Sequence, residues 1–475
     1  MASRSLAATF PRFLREVTRF GPTELLTAVA REGAVQTLRH RSDPHSVIDG
    51  SSPVTPWALV EIARESIVHG VQQGQHPPTA SDLHRLCALF TDLDDPLSEG
   101  PHYAIERFFV RLFFEQFRWQ ISEFEELARP HALFVGAAAQ VPGAAAFREE
   151  RWRAALGCSV DELVHAGFFL FVWASQHEGW VDLRWMDLPH FAEVQKHFPK
   201  SLIEHVVSGR LGADPAQLRR MDSEAVVPEN VREHRFNPLS ARPLVRMRDG
   251  RLLAPHPLLI LHRLGVTGLY YDRVGEPGFT DQLGPVFEEY VGMQLRLLSN
   301  AHVEHSVMVG RSEEVIDYVV VLPDVVLLLE VKSTRLTELA RIGLDQLDDD
   351  RDRTLGKAYA QITRAERLIT EDHPAFEFVP RDRPRRGIVV TLEPYWGAVS
   401  GFGALPATPI PTTVAHVREI EYLASTGINN DVGAALAGLT GAHSNNAIHA
   451  AVEHLDHVRN PILDRGWDAA MSLVV

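Results

Sequence analysis

The sequence predicts a multidomain α plus α/β protein. A mostly helical domain is expected over residues 1–235, a β-hairpin connector over 236–279, an α/β domain over 280–425 and a helical tail over 426–475. Three observations predict this. Ile105, Phe108, Phe109, Leu112 and Phe113 recur at helical spacing. The texture changes at FNPLSARPLVRMRDGRLLAPHPLLILHRL, where apolar runs alternate with prolines and an Asp249-Gly250 turn, a hairpin signal. From about residue 280, helical patterns alternate with β-branched apolar runs.

The N-terminal stretch MASRSLAATFPRFLREVTRF is Arg-rich and amphipathic, as an organellar transit peptide is. Glu16 and a helical pattern that continues to about Ala30 favour the first helix of a soluble domain instead. In the 105–117 helix, Val110 and Phe114 fill further faces, so burial nearly all round is expected, with the aromatic residues as core. Prolines 44, 53, 77 and 78 mark loops. His165, His177, His190, His197 and His205 form no HxxxH or HExxH pair and are read as core or surface residues. Cys87 and Cys158 stand far apart and give no disulfide framework, which fits a reducing cytoplasm. No apolar run approaches the roughly 20 residues of a membrane helix, so no membrane partner is expected. The net charge of −15 argues against a chain that coats nucleic acid nonspecifically, though not against a local site for it.

In the α/β region a helix is expected over Gly284–Asn300, with Val286, Tyr290, Met293 and Leu297 on one face. The stretch VIDYVVVLPDVVLLLEVKST, residues 315–334, follows as two apolar strands about Leu-Pro-Asp. A second helix is expected over Thr354–Ile369, preceded by the acidic LDQLDDDRDR at 344–353. Further strands are expected at Gly387–Leu392 and near Thr412–Val417.

The strand pair holds three charges where apolar residues dominate, and a buried lone charge costs several kcal/mol or more. In an antiparallel hairpin turning at Pro323-Asp324, opposed residues share a constant index sum. Asp317 then faces Glu330, with Cβ atoms about 4.5–5.5 Å apart. Lys332, two residues on, shares the face, and the Val331 carbonyl lies near. Two close carboxylates repel, so one takes a proton unless a cation sits between them. Hard oxygen ligands suit Mg²⁺ or Mn²⁺, and Lys332 beside them suits activation of an attacking water or stabilisation of a phosphorane-like transition state. A plain buried salt bridge is the competing account of the same charges.

At these residues the chain resembles the PD-(D/E)XK, or restriction-endonuclease-like, nuclease superfamily. Asp317 and, thirteen residues on, Glu330-Val331-Lys332 match its Asp and E-x-K elements, with Ile316-Asp317 standing where the family has Pro-Asp. Pro323-Asp324 belongs to the turn. The resemblance implies a restriction-endonuclease-like αβββαβ core over about 280–420, under a third of the chain. It implies a metal, Mg²⁺ or Mn²⁺, held by Asp317 and Glu330, and Lys332 assisting the nucleophilic water. It adds a Glu from the preceding helix, Glu288 rather than Glu289, and Gln361 from the following helix. Lys357, Gln361, Arg364 and Leu368 form one stripe, mostly polar and basic and suited to a phosphate backbone, opposite Leu355, Tyr359, Ile362 and Ile369. Arg383, Arg385 and Arg386 offer further phosphate contacts.

The expected function is therefore that of a cytoplasmic, bacterial, metal-dependent nuclease acting on DNA rather than RNA, in genome defence or DNA processing, with the N-terminal domain recognising substrate or a protein partner. The rival is a catalytically idle nuclease-fold scaffold that binds nucleic acid or protein. An unrelated phosphoryl-transfer enzyme is a third class, weakened by the lack of a Walker motif.

Overall fold

The computed structural model describes residues 9–42, 52–71, 77–93, 104–225, 235–310, 313–341, 346–395, 407–440 and 446–472. Pro44 and residues 344–345 lie outside these. The fold is mixed α/β, with helices throughout and two mixed sheets.

Helices Phe10–Val17, Pro22–Ser42, Pro56–His69 and Ala80–Thr91 build the first part of the N-terminal region. Thr55 and Thr79 cap two of them, Thr79 reciprocally with Asp82. The helix expected at 105–117 runs over Ala104–Gln116. It is not buried all round. Val110 is buried, whereas Phe109, Leu112, Phe113 and Phe114 stay half-buried. His165 is buried and bonds the Ala470 and His197 carbonyls, as a satisfied core histidine does, while the exposed His205 bonds the Leu156 carbonyl.

The region is not purely helical. Strands β1 (Trp180–Val181) and β2 (Gly212–Ala213) join the expected hairpin, β3 (Leu244–Arg246) and β4 (Leu252–Leu253), in a sheet of order β1-β4-β3-β2. The hairpin is thus part of the helical body, and helices Leu258–Leu264 and Val266–Arg273 complete the connector. Two-residue strands were too short to leave a period in the sequence.

The second sheet has order β5-β6-β7-β8-β9: β5 (His302–Val309), β6 (Glu313–Val321), β7 (Val326–Lys332), β8 (Arg385–Thr391) and β9 (Thr412–His416). The first three strands form an antiparallel meander, while β8 and β9 run parallel to β7. Helix Phe279–Leu295 precedes the meander, and helix Lys357–Thr370 makes the crossover to β8. Both faces are covered, which is why β6 and β7 read as nearly continuous apolar runs. Tyr318, Val320, Leu327 and Leu329 pack into one core with Phe287 and Val291 of the first helix. Val319, Val326 and Leu328 pack into another with Tyr359, Ile362 and Ile369 of the second.

The parts are not separate bodies. The first core runs from Phe13 to Ala470. The C-terminal helix Pro461–Met471 lies on helix Glu123–His131, with Trp467 against Phe124 and Phe168. Arg129 donates bidentately to Glu421 at 2.7 Å, and the Tyr290 hydroxyl donates to the same carboxylate at 2.7 Å. A buried pair satisfied on all sides costs several kcal/mol to break from one side, so this junction ties the tail and the α/β region to the helical body. Among the described residues no single helix is long and apolar enough to cross a membrane.

Candidate functional site

The β6–β7 turn is the four-residue 322–325 loop, closed by the Leu322 amide donating to the Val325 carbonyl at 2.9 Å. The pairs Val321–Val326 through Tyr318–Leu329 all share the expected sum. Asp324 is exposed in the turn, at the end of the hairpin away from Asp317. Beyond Tyr318–Leu329 the strands part. There the Asp317 carboxylate, rather than a backbone carbonyl, accepts the Val331 amide proton at 2.7 Å.

Glu330 has no exposure at all, and Asp317 is 7 % exposed. The Lys332 ammonium donates to Glu330 Oε2 at 2.6 Å and to Gln361 Oε1 at 3.1 Å. Glu330 Oε1 is buried and receives no donor among the described residues. Burial pushes Glu330 up to about 8, with the Asp317 charge adding to the shift and Lys332 opposing it. Burial also raises Asp317, against Lys332 and the Val331 amide. The pair is therefore disposed to hold a proton that a divalent cation would displace.

Two further carboxylates reach Asp317. Glu288, on helix Phe279–Leu295, and Glu314, on β6, place one oxygen each within 4.8 Å of one another and of an Asp317 oxygen. Glu288 pairs with His305 Nε2 at 2.6 Å, and burial and the Asp317 charge raise its carboxyl. Glu289 instead turns to Arg296 at 2.8 Å. Glu314 carried no signal in sequence, because strict alternation puts residues 314 and 317 on opposite faces. A bulge defeats that parity. Val307 pairs with Ile316 but Met308 pairs with Glu314, leaving Val315 extra, and Val315 and Ile316 are both fully buried.

The cluster suits a hard cation: three carboxylates converge, and a fourth, Glu330, keeps an orphaned oxygen. The expected ligand set of Asp317, Glu330 and Val331 shifts accordingly. The structure joins the Val331 amide, not its carbonyl, to Asp317, brings the expected Glu288 to the cluster and adds Glu314.

Gln361 sits where the second helix meets the site, and the apolar stripe Leu355, Tyr359, Ile362 and Ile369 is buried as expected. Lys357 is exposed one turn earlier, and Arg364 is half-buried against Glu313 at 2.7 Å. Arg383, Arg385 and Arg386 are not brought to the site. In the parallel β7–β8 register Arg385 lies beside Val326 while Lys332 lies beside Thr391, six residues or roughly 20 Å away. Arg385 forks onto Glu366 at 2.6 and 2.7 Å, Arg383 donates to the Leu322 carbonyl at 2.6 Å and Arg386 to the Ala437 carbonyl. Their charge serves the fold at the opposite end of the sheet.

No family model, curated protein or solved structure matches this chain. What the site can do is set by its own residues: carboxylates poised to trade a proton for a cation, and an ammonium held 2.6 Å from one of them.

The positioning of Glu288 depends on Gly292. The Tyr318 hydroxyl donates to the Glu288 carbonyl at 3.0 Å, and a Cβ on Gly292 would lie 2.2 Å from that hydroxyl. Gly292→Ala is expected to lower stability by about 1–3 kcal/mol, measurable by thermal or urea denaturation. An unchanged midpoint would mean that Tyr318 does not hold this position.

Proposed function

We propose that the protein is a nuclease that hydrolyses phosphodiester bonds, DNA rather than RNA, with Mg²⁺ or Mn²⁺. The observation that carries this reading is the convergence of Asp317, Glu330, Glu288 and Glu314 beside a lysine anchored by Gln361. The order helix, three-strand meander, helix, strand supports it, since that is the core the PD-(D/E)XK resemblance implies.

Asp317, Glu288 and Glu314 are the residues that would hold the cation, with the unengaged Glu330 Oε1 as a further ligand beside Asp317. The cation would supply Lewis-acid stabilisation of the scissile phosphate and lower the pKa of the attacking water. Lys332, fixed between Glu330 and Gln361, orients that water and meets the charge that grows on the phosphoryl oxygens. Lys357, exposed on the crossover helix, and Arg364, half-buried against Glu313, would hold the backbone of the strand being cut. A cytoplasmic setting in bacterial genome defence or DNA processing belongs to the same proposal.

The test is incubation of the purified chain with linear, circular and single-stranded DNA and with RNA, with and without Mg²⁺ or Mn²⁺. Metal-dependent cleavage of DNA is expected, lowered by about a hundredfold or more in Lys332→Ala. Cleavage untouched by that substitution would remove Lys332 from the mechanism. Metal binding without cleavage of any substrate would favour the idle scaffold.

A further inference from the structure

A cavity of about 950 Å³ lies between the helical body and the segments that follow the C-terminal ends of β7 and β8. It is at the upper end of the range for small-molecule sites. None of Asp317, Glu330, Lys332, Glu288 or Gln361 lines it, but Arg335, three residues beyond Lys332, does. In a chain of net charge −15, its described lining holds nine arginines and five carboxylates.

Part of that surplus is met from outside the lining, where Glu421 engages Arg129 and Asp222 engages Arg235. Elsewhere single carboxylates are shared. Glu393 pairs with both Arg335 and Arg341. Asp272 pairs with both Arg210 and Arg263, and Glu126 with both Arg129 and Arg418. Arg118 and Arg242 have no carboxylate within salt-bridge distance among the described residues; they donate only to the Ser240 hydroxyl at 3.4 Å and the Gly209 carbonyl at 2.6 Å. Burial and the neighbouring Arg341 push Arg118 down to about 10. Arg263 is 7 % exposed, and its Nη1 has no acceptor among the described residues. Buried donors without acceptors are costly, and an incoming polyanion would supply them.

Aromatic rings line the same space. Arg335 lies over the Tyr270 ring at 4.2 Å, and both Arg335 and Arg341 approach Tyr271, at 5.7 and 5.8 Å. Tyr271 is 51 % exposed, unusual for a large aromatic ring and suited to stacking a planar base.

We propose that this cavity binds a phosphorylated nucleoside, its phosphates on the Arg118, Arg242 and Arg263 guanidiniums and its base against Tyr271. The ligand is either a free nucleotide or the terminal nucleotide of a strand. The claim is one of binding and stands whether or not the carboxylate site cuts.

The full chain is titrated by calorimetry with ADP, adenosine, inorganic phosphate, and a short DNA strand with and without a terminal phosphate. ADP or the phosphorylated strand should bind, in a salt-sensitive way, while adenosine and the unphosphorylated strand bind at least about tenfold more weakly. Preference between the two binding probes identifies the source of the ligand. Arg118→Gln combined with Arg242→Gln should weaken binding at least about tenfold, the equivalent of about 1.4 kcal/mol. Both arginines lack a carboxylate partner, so the fold should survive, and Tyr271→Ala, at a half-exposed position, tests the base contact separately. The proposal fails if neither ADP nor the phosphorylated strand binds at low ionic strength, or if binding is equally tight in the arginine and Tyr271 variants.

Discussion

Glu330→Gln is expected to lower metal-dependent cleavage by about a hundredfold or more and, in the metal-free protein, to flatten the dependence of stability on pH. The second effect follows from linkage. Glu330 is raised from its ordinary 4.5 to about 8, chiefly by burial. The native state therefore keeps a proton through that window that the unfolded chain has released. Its stabilising contribution is fully present below about pH 4.5 and is lost as pH rises through about 8. A tenfold difference in proton affinity between the native and unfolded states is worth about 1.4 kcal/mol, so the wild type should lose a few kcal/mol on going from about pH 5 to about pH 8. Glutamine keeps the shape of the protonated acid and cannot titrate. Urea denaturation in the presence of chelator, run across this range for both proteins, reads the difference. Parallel curves would mean that Glu330 titrates near its ordinary value in the native state, and the shared-proton account of the Asp317–Glu330 pair would fall.

The approach of Asp317 to Glu330 was legible because two physical constraints coincide, although the ladder ends at Tyr318–Leu329 and the two are not a paired rung. An apolar pair of strands must bury both faces, and a four-residue turn leaves one register that does so. The opposed-pair arithmetic needed nothing else, and the observed pairing from Val321–Val326 to Tyr318–Leu329 follows it. Glu314 was hidden by the same logic, since the arithmetic assumes unbroken alternation and the Val315 bulge breaks it. Strand β5 was hidden for another reason. HVEHSVMV lies at the sheet edge with most of its side chains exposed or half-buried, so its composition is polar. The Arg383–Arg386 run illustrates a third limit. A basic cluster read along the chain does not reveal that Glu366 and two carbonyls already engage it. The arginine-lined cavity was beyond reach altogether, because Arg118, Arg242, Arg263 and Arg335 come from different segments that only the tertiary fold brings together.

The membership of the cation site yields the second large effect. Asp317→Asn is expected to abolish Mn²⁺ binding, and Glu314→Gln to weaken it by about tenfold to a hundredfold, while Glu289→Gln leaves it unchanged. Asp317 is the shared member: its carboxylate interacts with that of Glu330 where the strands part, and lies within 4.8 Å, oxygen to oxygen, of both Glu288 and Glu314. Removing its charge takes one ligand from both groupings at once. Glu314 contributes to one grouping only. Glu289, one residue from Glu288 on the same helix, is engaged by Arg296 and serves as the matched control for adding a neutral amide nearby. Calorimetry of Mn²⁺ binding in buffers of different ionisation enthalpy adds a diagnostic. Because the Asp317–Glu330 pair is disposed to hold a proton that the cation displaces, binding near neutral pH should release about one proton. Release should vanish in Glu330→Gln, whose amide has none to give. If Glu314→Gln binds as the wild type does while Glu330→Gln loses all affinity, the cation sits between Asp317 and Glu330 alone, and the bulge that brings the exposed Glu314 beside Asp317 has a structural rather than a chemical purpose.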